Sequence, residues 1–179
     1  MRRFSSLVIV AVVFALAWAP AGGRQTHRYQ EQWSFSAEDE GVRHPVPLPA
    51  EVLAILQKDD MVHSEAEYDK IALDQLPPSW FSASEIHLGS PREVDLVVEA
   101  QGELRGANVI MFWTFVRKGD NYSLALAIPA HNLIVKNSRS YGFRDIEAMS
   151  ATAVTVTTAI FRFDGNEYTE HSERTEAIK

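Results

Sequence analysis

The residues best suited to chemistry sit in one short stretch, Asn137-Ser138-Arg139-Ser140-Tyr141-Gly142-Phe143-Arg144-Asp145. Two arginines bracket two aromatics and a glycine in a chain whose formal charge is −7. Arginine forks grip carboxylate, sulfate or phosphate groups, and a tyrosine face packs on sugars or peptides. Arg139, Tyr141, Arg144 and Asp145 are therefore the candidate binding residues. The competing reading of the stretch is structural: Arg144 pairs with a nearby acid, Tyr141 covers a sheet edge, and Gly142 supplies a left-handed turn.

Carboxylates come next. Asp95 and Glu99 are predicted to share one face of a strand with Val97, opposite Val94, Leu96 and Val98. Such a pair could bind a cation or do acid–base work; the simpler expectation is a solvent-facing polar stripe. A calcium-like cation wants roughly six to eight oxygens, and this segment offers few. Asp59-Asp60 reads as a helix end, and Glu38-Asp39-Glu40 as a solvated acidic stretch. The histidines at 27, 44, 63, 87, 131 and 171 are scattered, with no two at metal-ligand spacing. No GxSxG, HExxH, P-loop, GxGxxG or EF-hand pattern occurs. The absence of cysteine excludes disulfides, thiolate zinc sites and Cys nucleophiles. No catalytic set, metal or cofactor is expected, and Trp80 and Trp113 are read as core residues.

These groups need a scaffold, and the chain first signals where that scaffold goes. Met1-Arg2-Arg3, the apolar run Leu7–Ala19 and the small residues of Ala19-Pro20-Ala21 have the three parts of a secretory signal peptide over residues 1–21. The apolar run falls short of the roughly twenty residues of a membrane span. Cleavage after Ala21 removes two Arg and no acids, which takes the formal charge from −7 to −9. An acidic exported domain binds nucleic acid and anionic lipid poorly. The expected location is secreted or periplasmic, with no stable membrane span after cleavage.

Residues 22–48 read as an extended tether with Trp33 and Phe35 docking on the body, and Pro45, Pro47 and Pro49 keep it extended. A first helix starts at Pro49, buries Val52, Leu53, Ile55 and Leu56, and ends at Asp59-Asp60. A second is signalled by the capping box Ser64-Glu65-Ala66-Glu67, with Tyr68, Ile71, Ala72 and Leu76 as its apolar stripe and Pro77-Pro78 as its stop. The period then changes to two. Strands are predicted over Ser82–Leu88, Glu93–Ala100, Asn108–Arg117, Tyr122–Ile128, Leu133–Lys136, Phe143–Ala148, Ala151–Phe163 and Glu167–His171. Asn108–Arg117 is apolar on both faces, which marks a doubly covered strand. Asn137–Gly142 reads as a polar connection, Asp164-Gly165-Asn166 as a hairpin turn, and residues 172–179 as a charged, fraying tail. The expectation is a single α+β domain over 49–171: two N-terminal helices followed by a mainly antiparallel sheet.

Leu88–Val98 (LGSPREVDLVV), Leu104–Phe115 (LRGANVIMFWTF), Tyr141–Ile146 (YGFRDI) and Phe163–Tyr168 (FDGNEY) resemble uncharacterised secreted bacterial proteins with GYRDI-like and FDGxxY segments. The resemblance spans about residues 88–168 and implies an exported protein of related fold. It brings no agreed activity. Ser90-Pro91-Arg92-Glu93 stands where those proteins can carry an acidic turn, so it brings no calcium role either. The function expected is a non-catalytic domain that binds a protein or cell-wall glycan. The alternative is a small secreted hydrolase in which carboxylates and histidines converge. A pocket lined by Asp95, Glu99, His87 or His131 favours the hydrolase, and a shallow aromatic face favours binding.

Overall fold

The computed structural model describes residues 31–178. The predicted signal peptide and residues 22–30 of the tether lie outside the described residues. The element order is β1 (Ser34–Ser36), α1 (Ala50–Leu56), α2 (Asp60–Tyr68), β2 (Phe81–Ile86), β3 (Asp95–Ala100), β4 (Ile110–Lys118), β5 (Asn121–Ala130), β6 (Asn132–Ser140), β7 (Phe143–Ala151), β8 (Thr155–Phe163) and β9 (Tyr168–Ala177). The strands form two antiparallel sheets, a four-stranded one in the order β2-β3-β4-β5 and a five-stranded one in the order β1-β6-β7-β8-β9.

The expected α+β fold is thus corrected to a mainly β, sandwich-like architecture. Its two short helices are inserted between the first strand and the second. Part of the predicted tether is itself a strand: Phe35 is buried opposite Leu133 of β6. The polar run after Lys136 is also strand, because its pairing with β7 is set from the hairpin and not from side-chain polarity. The actual turn is only Tyr141-Gly142, with φ of 49° and 84°. Two positive φ values are what a two-residue hairpin requires. The predicted fraying tail likewise continues β9 to Ala177, held by its ladder to β8 although every side chain from Thr169 onward is exposed.

Two apolar layers follow from this arrangement. Phe35, Ile86, Val97, Phe112, Leu133, Ile146 and Phe161 fill the space between the sheets. Val52, Leu56, Val62, Trp80, Leu96, Val98 and Trp113 fill the space between the helices and the other face of the four-stranded sheet. The central strand β3 is therefore buried along its whole length, and β4 carries apolar residues on both faces. The sheets connect directly at β5–β6, where β5 ends at Ala130 in one sheet and β6 begins at Asn132 in the other.

The helix caps also differ from the predicted ones. Asp59 caps α2 through Oδ1, which accepts from the Met61 and Val62 amides, while Ser64 lies inside the helix and donates to the Asp60 carbonyl. The buried stripe is Val62 and Ala66, and Tyr68 is exposed. The Asp59 Oδ2 atom accepts from the Trp113 indole at 2.8 Å. One carboxylate thus starts the helix and ties it to β4.

Candidate binding cleft at the hairpin end

Arg139 and Arg144 are register partners on either side of the Tyr141-Gly142 turn. Like charges placed opposite each other repel, and here each guanidinium is drawn to different partners. Arg139 Nη1 donates to the carbonyls of Leu88 (2.9 Å), Gly89 (3.0 Å) and Gly142 (2.6 Å). Arg144 Nη1 donates to Asn137 Oδ1 (2.7 Å) and the Lys136 carbonyl (3.2 Å), and its guanidinium lies 4.3 Å from the centre of the Trp33 ring. A cation over an indole face is favourable, the more so when partly dry.

Both arginines line an open cleft of about 290 Å³ together with Trp33, His87, Glu31 and Gly89. His87 Nδ1 contacts the Glu31 carboxylate. A second depression of about 300 Å³ shares Glu31 and Trp33 and brings in Arg43 and His44. Trp33 therefore divides a surface with three arginines and two histidines in a protein of net negative charge.

The floor of the cleft is fixed from inside the sandwich. Asp95 Oδ2 accepts from the amides of Leu88 (2.8 Å) and Gly89 (3.3 Å), and Oδ1 accepts from Arg117 N (2.8 Å). The Leu88–Gly89 backbone is gripped on its N–H side by Asp95 and on its carbonyl side by Arg139. Gly89 makes this possible, since a Cβ there would come 2.8 Å from the Phe143 ring. Burial pushes the Asp95 carboxyl above its ordinary value, and the three backbone donors oppose that rise. Tyr168 donates to the Arg144 carbonyl at 2.7 Å. Burial raises its phenol pKa further, helped by the charges of Asp95 and Asp145.

Two of the four predicted residues, Arg139 and Arg144, meet in the cleft. Tyr141 is 78% exposed at the hairpin tip, within reach of Gly165 in the neighbouring β8–β9 turn. Asp145 is buried inside the sandwich, and its Oδ1 has no hydrogen-bond partner among the described residues. The expected solvent-facing stripe of Asp95 and Glu99 is overturned: they are 1% and 0% exposed. Their face of β3 points between the sheets, not outward, because the five-stranded sheet covers it. Neither lines the cleft. His131 is also elsewhere, at the β5–β6 corner with Nδ1 2.8 Å from the Asn108 carbonyl.

Glu31 and His87 were not legible as a pair, since 56 positions separate them and no local spacing links them. Among the described residues, no group of three or more His, Cys, Asp and Glu side chains could hold a metal ion. Nor is any helix among them long and apolar enough to cross a membrane. No protein-family model, curated protein or solved structure matches the chain.

Proposed function

We propose that the chain is an exported, non-catalytic binding domain whose cleft takes a carboxylate-bearing protein or cell-wall glycan. The observation that carries this reading is the convergence of Arg139, Arg144 and Trp33 on one open cleft of an acidic protein. Each arginine keeps N–H groups that no described residue takes up. A ligand carboxylate bridging such groups gains charge-assisted hydrogen bonds, and the indole offers a flat wall beside them. Tyr141, on the adjoining turn, extends the surface available to a large partner. The signal-peptide pattern and the resemblance to secreted bacterial proteins support the exported location.

Capture of an envelope fraction on the immobilised protein tests the reading. Arg144→Gln is expected to reduce capture at least tenfold while the protein stays folded by circular dichroism. Unchanged capture would remove the cleft from consideration.

A second reading, a small hydrolase, draws on one observation, the His87–Glu31 contact in the same cleft. A carboxylate can orient a general-base histidine. Turnover in a broad hydrolase screen that His87→Ala abolishes would favour it over binding.

A further inference from the structure

At the other end of β3 the same inner face carries Glu99, and its surroundings differ. The side chain is wholly buried, and among the described residues its Oε1 has no hydrogen-bond partner. Its Oε2 takes one weak bond, from Gln101 Nε2 at 3.3 Å. The charged groups acting on it are Arg105 and Asp39, and Ser82 stands opposite it on β2. Arg105 does not bond to Glu99. Its Nη1 donates to Gln101 Oε1 at 2.9 Å, and its Nη2 donates to the carbonyls of Ala37 and Asp39. The segment Ala37–Val42 is thereby strapped over this end of the sandwich. Its other ties include Ala37 N to the His131 carbonyl, Val42 N to Ser82 Oγ and the Glu38 carboxylate to His131 Nε2 at 3.5 Å; Gly41 packs close to Ser82 and Gln101, and Ala37 and Val42 are buried in the layer between the sheets.

We propose that Glu99 and Arg105 form a proton-controlled latch: with Glu99 protonated the Ala37–Val42 strap is closed, and loss of that proton releases it. A neutral carboxyl is tolerated in a dry interior, whereas a carboxylate there needs a cation or water. Arg105 is the cation within range. Turning toward Glu99 takes it off the Ala37 and Asp39 carbonyls, the two bonds that hold the strap from below. The Asp39 carboxylate pushes the same way, being of like charge to ionised Glu99. Burial, the largest influence, raises Glu99 from 4.5 to about 7, with Asp39 adding to the rise and Arg105 and Gln101 opposing it. The latch operates without any ligand and is independent of what the Arg139–Arg144 cleft binds.

Hydrogen exchange of the full chain, corrected for intrinsic rates, tests the latch. Opening of a segment that frees a carboxyl from pKa about 7 to 4.5 grows by about tenfold per pH unit between those values and levels off above. Protection of Ala37–Val42 is therefore expected to fall by about fortyfold from pH 5 to pH 7. The Leu88 and Arg117 amides, held by Asp95, serve as the internal reference and keep their protection. Glu99→Gln is expected to stay closed over the range, and Arg105→Ala to be open throughout. Strap protection that does not change with pH in the unmodified protein overturns the proposal, whether or not the variants fold. So does a Glu99→Gln protein that shows the same fall.

Discussion

Asp95 and Glu99 stand four positions apart on one face of one strand, both essentially inaccessible to water, and the protein treats them differently. Asp95 accepts three backbone amides, two from the β2–β3 connection and one from Arg117 of β4, and so fastens that connection to β4. Glu99 accepts one long bond and leaves an oxygen without a partner. The lesson is that burial alone does not say what a carboxyl contributes. A buried carboxyl with enough donors is a fastener, and one without them is held by keeping its proton. The fastened end is also where the arginine cleft sits, and the proton-held end carries the Ala37–Val42 strap.

The contrast can be broken most severely at the fastened end. Asp95→Ala leaves the Leu88, Gly89 and Arg117 amides without their acceptor. Unsatisfied buried donors cost about 1–3 kcal/mol each, so denaturant unfolding should show a loss of about 3–5 kcal/mol and a disordered cleft floor. A loss below about 1 kcal/mol would mean that water replaces the carboxylate without penalty.

At the other end the sign reverses. The folded protein holds the Glu99 proton up to about pH 7, whereas the ordinary value is 4.5. Between those values the native state binds more protons than the unfolded state, so stability falls as pH rises and levels off above about 7. Glu99→Gln removes that dependence. At pH 8 it should be more stable than the unmodified protein by about 3 kcal/mol, from about 1.4 kcal/mol per pH unit. At pH 4.5 and below the two should nearly coincide. A variant that loses stability at every pH would show that the carboxyl is needed for its bonding and not merely tolerated.

Smaller effects sharpen the picture of the cleft. Gly89→Ala drives a methyl into the Phe143 ring and should cost about 1–3 kcal/mol in thermal or denaturant unfolding. Its Arg139 contacts should loosen with it. Tyr141→Asn should alter stability by less than about 0.5 kcal/mol, because the ring is exposed and Asn tolerates positive φ. Any effect it has on partner capture then reports contact and not unfolding.

What the sequence disclosed follows its local signals. Two-sided apolarity announced the doubly covered β4, Asp164-Gly165-Asn166 announced the last hairpin, and Pro49 announced the first helix. Polarity misled wherever strand pairing extends past the apolar core, as in the polar half of β6 and along β9. The helix start at Ser64 was displaced by one turn, because Asp59 competes for the same amides and also reaches the Trp113 indole. The arginines of the cleft stood out by composition. Their partners did not, since Trp33, Glu31, His87 and the Leu88–Gly89 carbonyls are brought in only by the packing of one sheet on the other. The alternation of Asp95 and Glu99 with apolar neighbours showed a shared face correctly, but not that a second sheet would cover it.

The most direct measurement of the difference between the two ends is the titration of the Glu99 side-chain carboxyl by carbon-13 NMR in the intact chain. Its midpoint should lie near pH 7, well above the ordinary glutamate value of 4.5. A midpoint at or below the ordinary value would show that Glu99 is ionised and partnered in the folded protein, and would contradict the account of that end as one held by a proton.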